Sequence, residues 1–236
     1  MAYKRILLKL SGEQLSGKYE HGFDTELAGW LANEIAEVVR MGSEVVIMVG
    51  GGNYARGAQL AGHGIGRVTA DNIGMLATIM NAVALADVFN HEGVSARALS
   101  IVKVDQIADS FTHRRAITDL EKGDVVIAAG GTGRPYVTTD TAAVSFALEL
   151  ACDVVLKATK VDGVYNKDPA KHADAVKLDS MTFEEALSNG AIKVMDKAAL
   201  GLAMEHQLRV IVFDALTKGN IARVATGDNV GTKIGT

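Results

Sequence analysis

Six short runs rich in β-branched residues punctuate this chain, and several are apolar almost from end to end. Residues 45–49 read Val-Val-Ile-Met-Val and residues 125–129 read Val-Val-Ile-Ala-Ala; the other runs are 4–10, 94–99, 153–158 and 209–213. Successive side chains of a strand point to opposite faces, so a strand without polar alternation must be covered on both. Between these runs lie stretches of helical period. Leu27, Leu31, Ile35 and Val38/Val39 form one stripe, with Asp24 placed to cap its start and Gly42 its end. Residues 69–89 form a longer helix rich in Met and Ala, and 141–150 and 196–206 read as two more. The alternation predicts an α/β fold, a three-layer αβα sandwich with a central, mainly parallel sheet. With no linker or low-complexity tract, 1–236 reads as a single domain.

Composition removes several function classes. The chain of 236 residues has net charge −4 and no basic run, so it lacks the clustered Lys and Arg that displace counterions from nucleic acid. Its single cysteine, Cys152, has no internal disulfide partner and lies in apolar context, which predicts a buried small hydrophobe. The apolar stretch at the amino terminus is too short for a signal peptide. No apolar stretch approaches the roughly 20 residues of a membrane span. A reducing cytoplasm fits these features, with neither membrane nor nucleic acid as partner. The six histidines are scattered without metal-ligand spacing, so no protein-built metal site is expected.

Glycine is unusually frequent, at 25 residues against only 2 prolines, where about 7% and about 5% are average. Much of it follows strands. In open α/β sheets ligands bind beyond the carboxyl ends of strands, where loops lead into helices, so these loops carry the functional reading. The first strand leads into Lys9-Leu10-Ser11-Gly12. Here Lys9 could supply a point charge and Gly12 a close backbone approach to phosphate, although a solvated surface lysine has the same signature. The second ends in Gly50-Gly51-Gly52-Asn53-Tyr54-Ala55-Arg56-Gly57. Three glycines bury no side chain, but their N–H groups can form an anion nest, and Arg56 can add a bidentate contact. A tight turn without ligand is the alternative.

The fourth run ends in Gly130-Gly131-Thr132-Gly133-Arg134-Pro135-Tyr136-Val137-Thr138-Thr139-Asp140. Hydroxyls and N–H groups at a helix start suit a phosphate monoester or a polar base. Asp140 either caps that helix or organises nearby lysines. The fifth run continues through Lys157, Thr159, Lys160, Asp162-Gly163, Tyr165 and Asp168. That set could hold a nucleotide or form an ordinary β-hairpin. The commoner phosphate motifs are absent: there is no G-x-x-x-x-G-K-[ST], no G-x-G-x-x-G after a strand, and no G-x-S-x-G.

Taken together the loops resemble the amino-acid kinase superfamily, and within it the bacterial uridylate kinases. The strings that carry the resemblance are Lys9-Leu-Ser-Gly12, Gly50-Gly-Gly-Asn53 with Arg56-Gly57, and Asp71 before Gly74-Met-Leu-Ala-Thr78. Further along come Thr132-Gly133 through Thr138-Thr-Asp140, the stretch from Lys157 to Tyr165, Asp168-Pro169, and Lys193-Val-Met-Asp196. They run in family order over nearly the whole chain. The resemblance implies reversible transfer from ATP to UMP, giving ADP and UDP for pyrimidine nucleotide (CTP and UTP) biosynthesis, with Mg2+ entering as MgATP. It implies an acceptor lobe at about 1–150 and an ATP lobe at about 151–236. Lys9, Leu10, Ser11, Gly12, Gly52, Arg56, Thr159, Tyr165 and Asp168 would contact ATP. Gly51, Asp71, Thr132, Gly133, Arg134, Pro135, Tyr136, Val137, Thr138 and Thr139 would contact UMP, with Asp71 accepting from the ribose. Lys9, Arg56, Asp140 and Lys157 would serve catalysis.

Direct phosphoryl transfer fits the absence of a catalytic histidine or activated serine. It needs two phosphates aligned and their repulsion cancelled, and a phosphate oxygen needs no strong base. Arg134 stands where such kinases would carry asparagine or another neutral residue, and Tyr54-Ala55 replaces a bulkier apolar pair. The alternatives are a relative that phosphorylates a carboxylate, such as acetylglutamate or aspartate, and a non-catalytic nucleotide sensor or oxyanion-storage protein. Family likeness also implies a homohexamer, with GTP as activator and UTP as inhibitor. The segment Ser16-Gly17-Lys18-Tyr19-Glu20-His21-Gly22 aligns with a loop implicated in GTP activation in some relatives. Met75, Leu76, Ile79, Met80 and Val83 on the long helix could form either core or interface.

Overall fold

The computed structural model describes residues 2–55, 60, 64–167, 169–188 and 194–235. Each of the six apolar runs is a strand of one nine-stranded sheet: β1 (Arg5–Leu10), β2 (Glu44–Val49), β3 (Ala96–Ser100), β5 (Val125–Ala129), β6 (Val154–Thr159) and β10 (Arg209–Asp214). Short strands missed in the sequence complete it: β4 (Asp109–Ser110) at one edge, and β9 (Ser180–Met181) with β11 (Thr232–Ile234) at the other. The order is β4-β3-β5-β2-β1-β6-β10-β11-β9. Every described pairing in this sheet is parallel except β10 with β11. A separate antiparallel pair joins β7 (Val164–Tyr165) to β8 (Lys177–Leu178), so the hairpin here follows Asp162-Gly163 and takes its second strand from beyond the Lys157–Asp168 stretch. A strand of two or three residues carries too few side chains to show a period, so the bounds of these five are not readable from the sequence.

The apolar runs are apolar because alternate residues serve two cores. Ile6, Leu8, Val45, Ile47, Ile127, Leu156 and Ile211 face one helical layer. It contains α2 (Thr25–Arg40), α3 (Arg67–His91) and α8 (Asn220–Ala225). Leu7, Val46, Met48, Leu99, Val126, Val155 and Val210 face the other. That layer contains α4 (His113–Glu121), α5 (Thr139–Glu149), α6 (Phe183–Ser188) and α7 (Lys197–Glu205). At roughly 1.5–3 kcal/mol for each large side chain fully buried, both faces contribute to holding the sheet. Asp24 caps α2 as expected, accepting from the N–H groups of Glu26 and Leu27. Gly42 lies just past the end of α2, at φ +96°.

Two expectations are refined. Cys152 is buried, and burial pushes its thiol up to about 12, so it behaves as a small hydrophobe. By contrast, the reading that no apolar stretch approaches membrane length is corrected by α3. Its 25 residues are long and apolar enough to span by length and composition. Its apolar content has another use here, since Ile79, Ala82, Leu85 and Phe89 pack into the first core. The stripe read as core or interface is in fact divided: Ile79 is buried, whereas Leu76 and Met80 are exposed.

The loop after β5 tests the fold's tolerance. Gly130 has φ +83°, and a Cβ there would lie 3.0 Å from the Ile101 side chain and 3.1 Å from Val102 N. Gly130→Ala should cost about 1–3 kcal/mol, read as a fall in melting temperature of roughly 2–4 °C per kcal/mol. Gly66→Ala, where φ is ordinary and nothing lies within 4 Å, should change it far less.

Candidate active site

Parallel pairing brings the carboxyl ends of β1, β2, β5, β6 and β10 to one edge of the sheet, and the predicted loops meet there. Lys9 on β1 is directly opposite Lys157 on β6. Two ammonium groups side by side at a buried strand end repel one another, and Asp140 of α5 lies between them. Its Oδ1 is 2.8 Å from Lys9 Nζ and its Oδ2 accepts a 2.5 Å hydrogen bond from Lys157 Nζ. All three side chains are largely buried.

Asp140 does not cap its helix. Thr138 does so, its hydroxyl accepting from the N–H groups of Asp140 and Thr141. The carboxylate is thereby left for the lysines. Burial works against ionising Asp140, but the charges of Lys9 and Lys157 outweigh it and hold the carboxyl below the usual aspartate value. Its stabilising contribution is therefore present above the ordinary carboxylate pKa and lost as pH falls through the lowered one. For Lys157 burial dominates and lowers its pKa, opposed by Asp140 and assisted by the like charge of Lys9. Between that lowered value and the ordinary lysine pKa the unfolded chain binds the proton more tightly, so stability from this group rises with pH there.

A second set surrounds the glycine loops. Gly12 begins α1 (Gly12–Leu15), a single turn capped by Ser11, which forms a capping box with Gln14. A Cβ on Gly12 would meet Gly52 N and Asn53 Oδ1 at 2.5 Å, so only glycine lets the first two loops touch. The Leu10 side chain is buried in the first core. Gly51, Asp71, Arg134, Val137 and Thr139 line one cleft together with Ala55, Gly74, Met75, Thr78 and Gly131. Larger clefts lie elsewhere, one lined by α3, β3 and residues 105–109, the other by α2 and the end of α3. Neither includes a strand-end glycine or any predicted site residue.

Asp71 accepts from Arg67 Nε at 2.8 and 2.9 Å and from the backbone N–H of Tyr136 at 2.8 Å. Tyr136 has φ +66°, a conformation costing on the order of 1–3 kcal/mol in a non-glycine residue. The Asp71 bond and the Arg67 guanidinium, 4.9 Å from the Tyr136 ring centroid, hold it there. Thr132 Oγ1 is buried without a hydrogen-bond partner. Gly133 and Pro135 complete this loop. On the far side, Thr159 Oγ1 donates to Val161 O, and Tyr165 donates to Asp162. Arg56 and Asp168 lie outside the described residues.

Three further residues build this edge. Asp196 caps α7 and accepts from the hydroxyls of Thr138 and Thr141, joining that helix to the start of α5. Its signal was an aspartate immediately before a helical run. Thr78 and Asn81 are buried polar side chains on α3, conspicuous only as polar residues inside an apolar helix.

Comparison with known proteins gives a consistent result. The amino acid kinase family matches over residues 4–214. The chain is 45% identical to a uridylate kinase of Xanthomonas campestris pv. campestris over 234 residues, 99% of this chain and 97% of that one. A uridylate kinase of Xanthomonas euvesicatoria pv. vesicatoria is also 45% identical, with the same coverage. The crystal structure of UMP kinase from Bacillus anthracis superposes with a TM-score of 0.95 at 37% identity, over 100% of this chain and 97% of that one. UMP kinase from Ureaplasma parvum gives 0.91 at 34%, covering 100% of both.

The lysine pair gives a direct test. Removing the Asp140 charge removes the main effect that raises the Lys157 pKa, so Asp140→Asn should move that pKa further down. Side-chain NMR titration of labelled lysine would show it; an unchanged or higher value would contradict the described coupling.

Proposed function

The chain belongs to the amino acid kinase family, and we propose that within it the protein is a uridylate kinase, transferring the γ-phosphoryl group of ATP to UMP to give ADP and UDP reversibly. The observation that carries this reading is the Lys9–Asp140–Lys157 cluster beside two glycine loops at one sheet edge. Two cations and one anion leave a net positive charge where two polyanions must meet. Lys9 and Lys157 would stabilise the transferring group's oxygens, and Asp140 would hold both ammonium groups in place. Arg56 would add a bidentate contact. The acceptor is a phosphate oxygen already ionised at neutral pH, so no side chain need remove a proton.

In this proposal about 1–150 form the acceptor lobe and about 151–236 the ATP lobe, with the β1 and β2 loops of the acceptor lobe reaching the ATP phosphates where transfer occurs. Gly51, Asp71 and the run Thr132, Gly133, Arg134, Pro135, Tyr136, Val137, Thr138 and Thr139 bind UMP. Lys9, Leu10, Ser11, Gly12, Gly52, Arg56, Thr159, Tyr165 and Asp168 bind ATP. Among the described residues there is no group of three His, Cys, Asp or Glu able to cage a metal ion, and Mg2+ needs none, because it keeps waters and binds through phosphate oxygens. The residues that hold the ATP phosphates would therefore hold MgATP, and the ion would neutralise charge on the β and γ oxygens. A cytoplasmic homohexamer, activated by GTP and inhibited by UTP, belongs to the same proposal. Exposed Val68, Leu76 and Met80 on α3, with Ile107 nearby in sequence to β4, supply apolar surface for subunit contact.

The proposal is tested by ADP release with ATP, Mg2+ and a panel of UMP, CMP, dTMP, acetylglutamate and aspartate. UMP should be the preferred acceptor. Turnover of a carboxylate would move the chain elsewhere in the family, and tight nucleotide binding without turnover would favour a sensor. Asp71→Asn should raise KM for UMP by roughly 10-fold or more, the scale of losing a hydrogen bond to a charged group, and leave KM for ATP nearly unchanged. Equal effects on both would contradict the ribose assignment.

A further inference from the structure

We propose that Thr78, with Asn81 one turn further along α3, is a positioning residue that fixes the two glycine loops relative to one another. Thr78 is 3% exposed and Asn81 is fully buried, yet neither is matched to another polar layer of the core. Each is instead committed to a loop backbone. Thr78 Oγ1 accepts from Gly130 N at 2.8 Å and donates to Met75 O at 2.7 Å. Asn81 Nδ2 donates to Gly50 O and to Asn53 Oδ1, both at 2.7 Å, while Asn53 Nδ2 donates back to Asn81 Oδ1 at 2.9 Å and to Gly22 O at 2.7 Å. The two amides form a closed pair in which every side-chain N–H is used.

The geometry extends beyond hydrogen bonding. The turn of α3 containing Gly74, Ala77 and Thr78 sits so close to the β2 loop that a Cβ on Gly51 would lie 2.8 Å from Gly74 O and 3.0 Å from Thr78 N. One rigid helix thus touches Gly51 by close packing, holds Gly50 through Asn81, and holds Gly130 through Thr78. Asp71, two turns before Thr78, takes the Tyr136 N–H of the same β5 loop. Because the β5 loop carries the residues assigned to UMP, releasing Gly130 should disturb acceptor placement more than donor placement. Releasing Gly50 should disturb both, since Gly51 and Gly52 are assigned to different nucleotides. A 1 Å error in alignment is costly for a transfer that depends on positioning. This inference deepens the uridylate kinase reading and rests on it for its kinetic form.

Thr78→Val keeps the shape of the side chain and removes the acceptor for Gly130 N; Thr78→Ser restores that acceptor. Thr78→Val should raise KM for UMP at least tenfold with less than a threefold change for ATP, and Thr78→Ser should return it to within threefold of the parent. Equal rises in both KM values, an unchanged KM for UMP, or failure of Thr78→Ser to rescue would overturn the proposal. A readout independent of turnover is amide exchange at Gly130 in the ligand-free protein. Exchange should quicken in Thr78→Val and not in Thr78→Ser, with Leu85 in the same helix as an unaffected reference. If the parent turned over no acceptor, the uridylate kinase reading would fail, while selective exchange at Gly130 would still support the structural tie. Exchange unchanged in Thr78→Val would overturn it.

Discussion

The site depends on a charge conflict and its resolution. Parallel pairing of β1 with β6 puts Lys9 opposite Lys157, and at a buried strand end two like charges cannot remain both ionised and close without compensation. Asp140 supplies it, with one oxygen toward each ammonium group. The compensation is incomplete by one charge. A compact, positive, partly dry position remains at the sheet edge, and phosphates are the natural complement of such a position.

The surrounding structure fixes that cluster in place. Thr138 takes over capping of α5, so Asp140 need not turn back on its own helix. Asp196 links the start of α5 to α7 through the Thr138 and Thr141 hydroxyls. Glycine at position 12 brings the β1 loop against the β2 loop, where any side chain would strike Gly52 N. Loops joined by backbone contact present N–H groups instead of side chains, and those suit a polyanion whose oxygens must be approached closely.

Much of this was legible in the sequence, for physical reasons that can be named. Strands such as Glu44–Val49 were recognisable because burial on both faces leaves a continuous apolar run. The loops were recognisable because consecutive glycines after a buried strand bury no side chain of their own. Strands of two or three residues, such as β4 and β7, carry no readable period. Helix α4 escaped because its first turn, His113-Arg-Arg, is polar, and its buried face reduces to Ala116, Asp119 and Leu120. For the site, residue type indicated which side chains could serve phosphate, but Asp140 as cap or organiser was undecidable without knowing that Thr138 caps. The roles of Thr78 and Asn81 were hidden because they act on backbone atoms distant in sequence, and no local pattern records that.

On this reading the phosphates of both nucleotides meet at the Lys9–Asp140–Lys157 edge. A crystal structure with an adenosine–uridine oligophosphate that bridges the donor and acceptor sites tests it most directly. Phosphate oxygens should lie within hydrogen-bond distance of Lys9 Nζ, Lys157 Nζ and the Gly51 and Gly52 amides, with uridine against Asp71. A phosphate chain lying in either of the other clefts, or nucleotide density away from the glycine loops, would contradict it.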